Sequence, residues 1–253
     1  MKNKAIIIDL DGTAIDSPDQ KLASQRLKEA IRNLEDRYFI CAATGRSWTF
    51  AKDLLQDLEL EDPCVISGGT RICLPKTGEI IWQHNIEKAA AKQILQIMSE
   101  YSKYKILCND YSEDDYFNGG LSADTFVLPE EVYFLEQVFV PEKIAFIIQE
   151  KISQIPNVIC TMVFDKIKGC RDLHITNAQA TKEHAIAILL EKTAVSKNNS
   201  IGVGDGNNDF HLFAGVGLKI AMGNAVPDLK ELADQIIGDV KNDGLAEYFE
   251  SLS

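Results

Sequence analysis

Close to the N-terminus, a short apolar run passes directly into acidic residues. Residues 5–8 read Ala-Ile-Ile-Ile, and Asp-Leu-Asp-Gly-Thr follows at 9–13. The run predicts a strand that is buried on both faces of a sheet. Because open α/β sheets bind ligands at the carboxyl ends of their strands, Asp9 and Asp11 are candidate functional residues. The alternative is a strand that ends in an ordinary Asp-Gly turn.

Strands and helices alternate in the first and last parts of the chain. The predicted strands there lie at 5–8, 38–43, 63–67, 200–203, 216–221 and 235–237, and the predicted helices at 20–36, 48–59 and 181–192 and from about 227 and 243. This rhythm predicts a parallel sheet with right-handed crossovers. We therefore expect an α/β fold with a doubly wound parallel-sheet core, Rossmann-like and built from both ends of the chain.

The middle of the chain has a different pattern, in which short strands and helices are mixed. The predicted elements are strands at 80–83, 104–108, near 138, 158–164 and 172–176, helices at 87–101 and 141–152, and a loop at 109–120. Such a mixture is typical of an α+β module. We expect a core domain of residues 1–75 and 179–253 and an inserted α+β domain at 76–178.

Composition limits the class of protein. The 253 residues carry a formal net charge of −12, so a nucleic-acid partner, which needs a basic face, is not expected. The sequence has no apolar run of about 18 residues and no signal-peptide pattern, which favours a cytoplasmic protein without a membrane partner. Its six cysteines include no Cys-x-x-Cys pair, which favours reduced thiols over a zinc site. Nothing in the sequence indicates an oligomeric state.

Three predicted strands of the core end in polar pairs, which a parallel sheet would bring to one edge. The pairs are Asp9 with Asp11, Thr44 with Gly45, and Asp205 with Asp209. Carboxylates that converge cannot all stay charged without a partner, and a hard divalent cation such as Mg²⁺ removes their repulsion. The pairs therefore indicate a Mg²⁺ site with oxygen ligands. For residues 205–209, a polar turn that caps the next helix is the alternative.

Two further features indicate a phosphate-binding site. Thr44 and Gly45 offer a hydroxyl and backbone N–H groups at a predicted helix start, where anions bind. Lys182 stands one residue into a predicted helix, where the helix dipole disfavours a cation unless an anion lies beside it. A plain strand-to-helix turn and a solvated surface lysine are the alternatives. Because the chain as a whole is negative, an anionic substrate would need such local cations.

Four motifs follow one another along the chain. They are Asp-Leu-Asp-Gly-Thr at 9–13, Thr-Gly-Arg at 44–46, Lys182, and Gly-Asp-Gly-Asn-Asn-Asp at 204–209. In order and spacing they resemble the motifs of phosphatases in the haloacid dehalogenase-like superfamily. The stretches at 221–225, 233–234 and 242–244 resemble the Cof-type sugar-phosphatase branch, whose large α/β cap also lies between the second and third motifs. The match covers both core segments, and the cap is recognised by its position and size.

The resemblance implies a two-step phosphoryl transfer. Asp9 would attack phosphorus and form an aspartyl-phosphate. Asp11 would protonate the leaving oxygen and then activate the water that hydrolyses the intermediate. The implied Mg²⁺ ligands are the Asp9 carboxylate, the Asp11 backbone carbonyl and Asp205, with Asp209 in support. The implied phosphate ligands are Thr44, Gly45, Lys182 and Asn208.

The chain departs from the family pattern at three positions. Ala14 stands where the family usually has leucine, a packing change with little catalytic meaning. Glu183 follows Lys182 where the family often has glycine, and Gly68 stands where the family often has asparagine. The candidate substrate contacts outside the phosphate-binding set are Arg46, Arg171 and His174. The aromatic residues Tyr111, Tyr116 and Phe117 either line a lid or pack onto the core of the inserted domain.

Together these patterns predict a Mg²⁺-dependent phosphatase that acts on a small phosphorylated metabolite, with a sugar phosphate as the expected substrate class. A cap that closes over a pocket favours small organophosphates over phosphoproteins. Two alternatives stay open, a phosphohexomutase on the same scaffold and a catalytically silent regulator that binds a metabolite. A dehalogenase is disfavoured, because it needs neither a metal site nor an acid two residues after the nucleophile.

Overall fold

The computed structural model of the protein covers two compact units. The described residues are 2–17, 20, 22–111, 122, 126–164 and 169–252. The core unit consists of Met1–Trp82 with Thr181–Ser253, and the cap unit consists of Gln83–Ala180. The dividing points therefore lie at 82/83 and 180/181, a few residues after the positions expected from the sequence.

Strands and helices are numbered separately along the chain. The strands are β1 (Lys4–Ile8), β2 (Tyr38–Ala42), β3 (Cys64–Ile66), β4 (Arg71–Cys73), β5 (Ile80–Gln83), β6 (Ile106–Cys108), β7 (Leu135–Pro141), β8 (Val158–Phe164), β9 (Cys170–Asn177), β10 (Ser200–Gly204), β11 (Leu218–Ala221) and β12 (Gln235–Ile236). The helices are α1 (Gln25–Arg32), α2 (Trp48–Asp57), α3 (Lys88–Ser99), α4 (Glu142–Ile152), α5 (Lys182–Lys192), α6 (Phe210–Gly215), α7 (Pro227–Leu232) and α8 (Gly244–Ser251). Short 3₁₀ turns at Ser67–Gly69 and Asn207–Asp209 follow β3 and β10.

The core unit contains a parallel sheet of five strands in the order β12-β11-β10-β1-β2. Ile8 of β1 lies opposite Val203 of β10 and opposite Ala42 of β2, and all the pairs are parallel. The carboxyl ends of β1, β2 and β10 therefore lie side by side. This sheet confirms the predicted α/β core, and its register brings the polar residues that follow these strands to one edge.

Strand β1 lies inside this sheet because its side chains are apolar on both faces. Ile6, Ile7 and Ile8 have no exposed surface. Successive side chains of a strand point to opposite faces, so both faces of the sheet are covered there. Helix α1 contributes Leu27 and Ile31 to the same core. Burying such a side chain is worth roughly 1.5–3 kcal/mol, and this fixes the position of the acids that follow β1.

A second sheet of the core unit joins β3, β4 and β5. An isolated parallel bridge joins β3 to the chain just after β2, where the backbone N–H of Thr44 donates to the carbonyl oxygen of Val65 at 3.0 Å. Residues 71–82 therefore belong to the core unit. The sequence analysis did not predict β4, because a strand of three residues is too short to show a period of two.

The cap unit is built on a sheet of four strands in the order β6-β7-β9-β8, with antiparallel pairs. Helices α3 and α4 supply Ile94 and Ile148 to its core, which also includes Leu173 of β9. Because side chains alternate along a strand, Glu136 and His174 point to the other face, where they lie opposite each other in register. This arrangement confirms the predicted α+β module.

Several predicted elements have different ends in the structure. Helix α1 begins at Gln25 rather than near residue 20, because the Ser24 hydroxyl accepts the N–H of Leu27 at 3.1 Å and caps the helix. Strand β7 runs over seven residues, whereas only a short strand near 138 was expected. Most of the predicted loop at 109–120 lies outside the described residues.

The structure also describes the cysteines and the apolar character of the helices. The six cysteines are free thiols, and Cys41, Cys64 and Cys73 are buried in the core unit. Within the described ranges, no helix has both the length and the apolar character that a membrane crossing requires. The cytoplasmic location stays a prediction.

Candidate active site

Three carboxylates converge at the carboxyl edge of the core sheet. Oxygen atoms of Asp9, Asp205 and Asp209 all lie within 4.8 Å of one another. Asp9 follows β1, Asp205 follows β10, and Asp209 is the last residue of the 3₁₀ turn after β10. Asp9 and Asp209 are buried, and Asp205 is half-buried. The strand ends thus bring together three of the residues that the sequence analysis placed in one site.

The turn after β1 is shaped so that Asp205 can approach it. Gly12 has a φ of +85°, and a Cβ atom on it would lie 2.1 Å from Oδ2 of Asp205. The hydroxyl of Thr13 donates to Oδ1 of Asp205 at 2.9 Å. The side-chain amide of Asn224 donates to the carbonyl oxygen of Gly12 at 2.8 Å. No role was predicted for Thr13 or Asn224, although Asn224 lies in a stretch that resembles the Cof-type branch.

Lys182 is the buried counter-ion of this carboxylate cluster. Its Nζ donates to Oδ1 of Asp9 at 2.6 Å and to Oδ1 of Asp209 at 2.8 Å. Its side chain is only 2% exposed, so it is not a surface lysine. Thr181 caps α5 by accepting the N–H of His184, which places Lys182 in the first turn of the helix. The anions that a lysine at this position requires are the two carboxylates.

Burial and crowding shift the proton affinities of the cluster. Burial, with the charge of Asp209 adding to it, raises the pKa of Asp9 to about 8. The same two causes raise the pKa of Asp205 to about 6. Burial opposes the charged form of Lys182, but the carboxylates of Asp209 and Asp9 outweigh it and raise the pKa of Lys182. One lysine therefore faces three carboxylates, and the cluster favours a further cation.

Glu183, the acid that follows Lys182, is directed away from the cluster. Its side chain is 46% exposed, and its carboxylate lies 4.0 Å from Nδ1 of His211. The departure from the family pattern at this position therefore adds no carboxylate to the buried set.

Asp11 is bound by Arg46. The guanidinium Nε donates to Oδ2 of Asp11 at 2.9 Å, and Nη2 donates to Oδ1 at 2.5 Å. Arg46 lies between β2 and α2, next to Thr44 and Gly45. Arg46 was predicted to contact the substrate, and its pairing with Asp11 was not predicted.

The predicted phosphate ligands other than Lys182 lie on two loops of the core unit. Thr44 is buried, and its hydroxyl oxygen accepts the backbone N–H of Arg46 at 3.1 Å. A Cβ atom on Gly45 would meet no atom within 4 Å, so open space lies beside this residue. Asn208 is exposed on the 3₁₀ turn after β10. The assignment of these residues to phosphate binding stays a prediction.

The loop after β3 holds the Thr44–Arg46 loop through its backbone. The N–H of Ser67 donates to the carbonyl oxygen of Arg46 at 2.7 Å, and the N–H of Gly68 donates to that of Thr44 at 3.1 Å. Ser67 has a φ of +51°, a conformation that is costly for a residue with a side chain. Gly69 has a φ of +113°, and a Cβ on it would lie 2.2 Å from backbone at the start of α5. The loop at 67–69 therefore packs tightly between the loop at 44–46 and the start of α5, which carries Lys182.

The two candidate substrate contacts of the inserted domain, Arg171 and His174, lie on β9 in the cap unit. Arg171 pairs with Glu142 at 2.5 Å. Nε2 of His174 lies 2.8 Å from Oε1 of Glu136, whose Oε2 accepts the hydroxyl of Tyr111 at 2.5 Å. A buried carboxylate thus holds a histidine and a tyrosine on the face of the sheet opposite α3 and α4.

The environment of His174 favours its charged form. Burial lowers its proton affinity, but the charge of Glu136 and the hydrogen bond to it outweigh burial and raise the pKa of His174 above its usual value. Its side chain is 30% exposed. The other two aromatic candidates for a lid, Tyr116 and Phe117, lie outside the described residues.

Comparison with known proteins gives the family. The chain belongs to the haloacid dehalogenase-like hydrolases, since the sequence profile of that family matches residues 6–168 and 127–249. A 5-amino-6-(5-phospho-D-ribitylamino)uracil phosphatase of Bacillus subtilis (strain 168) is 26% identical over 259 aligned residues, covering 96% of this chain and 93% of that protein. Phosphoglycolate phosphatase 1 of Saccharolobus solfataricus is 24% identical and covers 98% of this chain and 95% of that protein.

Solved structures share the fold over the whole length. A haloacid dehalogenase-like hydrolase from Bacteroides thetaiotaomicron has a TM-score of 0.80 at 23% identity and covers 100% of both chains. A sugar phosphatase of subclass IIB of this superfamily has a TM-score of 0.74 at 20% identity and covers 98% of both chains. The family match confirms the haloacid dehalogenase-like superfamily that the four motifs indicated, and these relatives support the Cof-type branch that the stretches at 221–225, 233–234 and 242–244 indicated.

Proposed function

We propose that this chain is a Mg²⁺-dependent phosphatase that hydrolyses a small phosphorylated metabolite through an aspartyl-phosphate on Asp9. The observation that carries the proposal is the buried group of Asp9, Asp209 and Lys182 beside Asp205. Buried carboxylates are costly unless they are paired, and a chain retains such a group where its charges are used.

The residues present fit a magnesium ion. Three carboxylates with oxygen atoms within 4.8 Å of one another form a donor set of the kind that Mg²⁺ prefers. We assign Asp9, the backbone carbonyl of Asp11 and Asp205 as ligands, with Asp209 in support. Asp209 fits the supporting role, because it already accepts the backbone N–H groups of Asp205 and Gly206 at 3.0 Å. When bound, the ion would supply positive charge to the Asp9 carboxylate and to the phosphoryl oxygens.

Asp9 is the nucleophile in this proposal. One of its oxygens is held by Lys182, which fixes the direction of the carboxylate. The bond from phosphorus to the leaving oxygen breaks while a bond to an oxygen of Asp9 forms, and Asp11 gives a proton to the leaving oxygen. In the second step Asp11 takes a proton from water, the water oxygen bonds to phosphorus, and the bond to Asp9 breaks, which releases inorganic phosphate.

Lys182 can bind phosphate without leaving its partners. An ammonium group has three N–H donors, and two of them point to Asp9 and Asp209. The third donor is available to a phosphoryl oxygen. We propose Thr44, the backbone N–H at Gly45, and Asn208 as the other phosphate ligands, and the open space beside Gly45 supports this assignment.

The substrate class is proposed from the relatives and from the cap. Two relatives are named as phosphatases of a phosphorylated ribitylaminouracil and of phosphoglycolate, both small metabolites. We propose a compound of this size, with a sugar or sugar-alcohol phosphate as the first choice. In the cap unit, His174 is the better candidate for reading the substrate, since it is partly exposed and is oriented by Glu136, whereas Arg171 is paired with Glu142.

Phosphate release tests the proposal. Wild type, Asp9→Asn and the exposed control Asp36→Asn would be assayed on phosphorylated sugars, sugar alcohols and short acids, with Mg²⁺ and with excess EDTA. We expect release that requires Mg²⁺, persists in the control and disappears in Asp9→Asn, whose amide oxygen can still accept from Lys182 and preserve the fold. Release that persists in EDTA would contradict the metal assignment. Full activity of Asp9→Asn would contradict the nucleophile.

A further inference from the structure

Arg46 binds both carboxylate oxygens of Asp11 in a planar fork. The two distances, 2.9 Å from Nε and 2.5 Å from Nη2, are those of a bidentate pair. The side chains are 14% exposed for Arg46 and 29% for Asp11, so water competes little for the pair. The partners are 35 positions apart and belong to the first and second motifs.

Further hydrogen bonds hold the third guanidinium nitrogen of Arg46 and its backbone. Nη1 donates to the carbonyl oxygen of Phe50 in the first turn of α2 at 3.1 Å. The backbone N–H of Arg46 donates to the hydroxyl oxygen of Thr44, and its carbonyl oxygen accepts the N–H of Ser67 at 2.7 Å. Ser67 makes this bond with a positive φ, which is retained only where the surroundings require it. Arg46 is therefore held by hydrogen bonds at its guanidinium, its backbone N–H and its carbonyl oxygen.

We propose that Arg46 is a positioning residue that sets the orientation of the Asp11 carboxylate, and not a ligand of the substrate. The inference rests on the proposed function, in which Asp11 moves the protons. A fork from a rigid guanidinium fixes the plane of a carboxylate, which a single hydrogen bond does not. A carboxylate offers about four lone-pair positions, and the fork uses two. The other two stay open, and one of them would carry the proton that Asp11 gives to the leaving oxygen.

Two substrates with different leaving groups distinguish a positioning role of Arg46 from a purely structural role. The value of kcat/KM reports the steps up to formation of the aspartyl-phosphate, in which Asp11 protonates the leaving oxygen. An alkyl phosphate needs that proton, whereas p-nitrophenyl phosphate releases a stable phenolate and needs it little. Misplacement of Asp11 therefore lowers kcat/KM for the alkyl phosphate alone, by on the order of 10–100-fold. A general loss of folding or of phosphate binding would cost the same factor with both.

The variants are Arg46→Met, which removes the fork, and Arg46→Lys, which keeps the charge but makes no fork. We expect both to lower kcat/KM on the most active alkyl phosphate about 10–100-fold and on p-nitrophenyl phosphate less than about threefold. Inhibition by inorganic phosphate should stay as in wild type. Arg46→Met combined with Asp11→Asn should be no slower than Asp11→Asn alone, because the two residues act as one unit.

Arg32→Met is the matched control, because Arg32 makes the same kind of fork to Glu59 at 2.7 and 2.6 Å in an exposed part of the core unit. It should leave both rates unchanged. Equal losses on the two substrates by Arg46→Lys, at wild-type thermal stability, would overturn the inference, as would a weaker inhibition by inorganic phosphate. If wild type itself releases no phosphate, the proposed function fails first, and this result is distinct from either of the others.

Discussion

Lys182 and Asp9 are 173 positions apart in the sequence, and their side chains meet at 2.6 Å in the buried centre of the site. Their side chains are 2% and 4% exposed. Lys182 reaches Asp9 because it stands in the first turn of α5, and Asp9 is fixed by the buried strand β1. Lys182 also donates to Asp209 at 2.8 Å, so one ammonium group serves a cluster of three carboxylates, and a divalent cation would neutralise the remaining negative charge.

Removing this lysine should destabilise the protein more than removing a surface lysine. For Lys182→Met we expect a loss of about 3–5 kcal/mol, because the buried carboxyl groups of Asp9 and Asp209 both lose the partner that donates to them. Urea unfolding followed by circular dichroism measures it. The control Lys76→Met removes an exposed pair with Glu61 and should change stability little. Equal stability of the two variants would contradict the structure of the site.

Mg²⁺ should stabilise the folded protein through Asp205. A ligand that binds only the folded state adds about 2.7 kcal/mol when it is present at 100 times its dissociation constant. We expect a higher melting temperature with Mg²⁺ in wild type and in Asp36→Asn, and no such gain in Asp205→Asn. In the absence of the ion, Asp205→Asn should be at least as stable as wild type, since one of three crowded carboxylates is gone. An unchanged Mg²⁺ gain in Asp205→Asn would refute its role as a ligand.

Replacement of two glycines of the site by alanine should affect different properties, stability at Gly12 and activity at Gly45. Gly12→Ala forces a side chain into a positive φ and against the carboxylate of Asp205, so we expect a loss of more than about 1 kcal/mol and a weaker response to Mg²⁺. Gly45→Ala fills open space, so its stability should stay near that of wild type while its activity falls. Calorimetry and phosphate release measure the two effects. A stable, fully active Gly45→Ala would remove Gly45 from the proposed phosphate ligands.

His174 should titrate above its ordinary pKa of 6.5 because of Glu136. A histidine whose folded pKa is raised contributes stability below its unfolded pKa, and this contribution is lost as the pH rises through the folded pKa. Glu136→Gln keeps a hydrogen-bonding side chain without the charge and should lower the pKa of His174. An NMR titration of the imidazole resonances, with His211→Gln used to assign signals, measures the shift. A pKa that is the same in wild type and Glu136→Gln would show that the charge has no effect.

Local pattern and sheet geometry were enough to predict which carboxylates meet at the sheet edge. An apolar run that ends in acids locates Asp9 at a strand end, and parallel pairing then brings Asp205 to the same edge. The helix dipole indicated that Lys182 needs an anion beside it. That this anion includes the carboxylates of Asp9 and Asp209 could not be read from the sequence, because it depends on how α5 packs against the sheet.

Contacts between side chains far apart in the sequence could not be predicted, because they depend on how the loops and strands pack in the folded chain. The motif indicated a substrate contact for Arg46, and only the folded loop shows that its side chain reaches Asp11. Asn224 bonds to the backbone at Gly12 across 212 positions. In the cap, the alternation of β7 and β9 could have placed Glu136 and His174 on one face, but their register depends on a bulge between Gln137 and Val140.

The aspartyl-phosphate on Asp9 is the central claim, and it can be observed directly. Wild-type enzyme would be mixed with Mg²⁺ and its best substrate, quenched in acid during turnover, and digested for peptide mass spectrometry. We predict one phosphoryl group on the peptide that contains Asp9, and none in Asp9→Asn treated in the same way. Steady release of phosphate with no phosphoryl group on that peptide, or with one on another residue, would contradict the account.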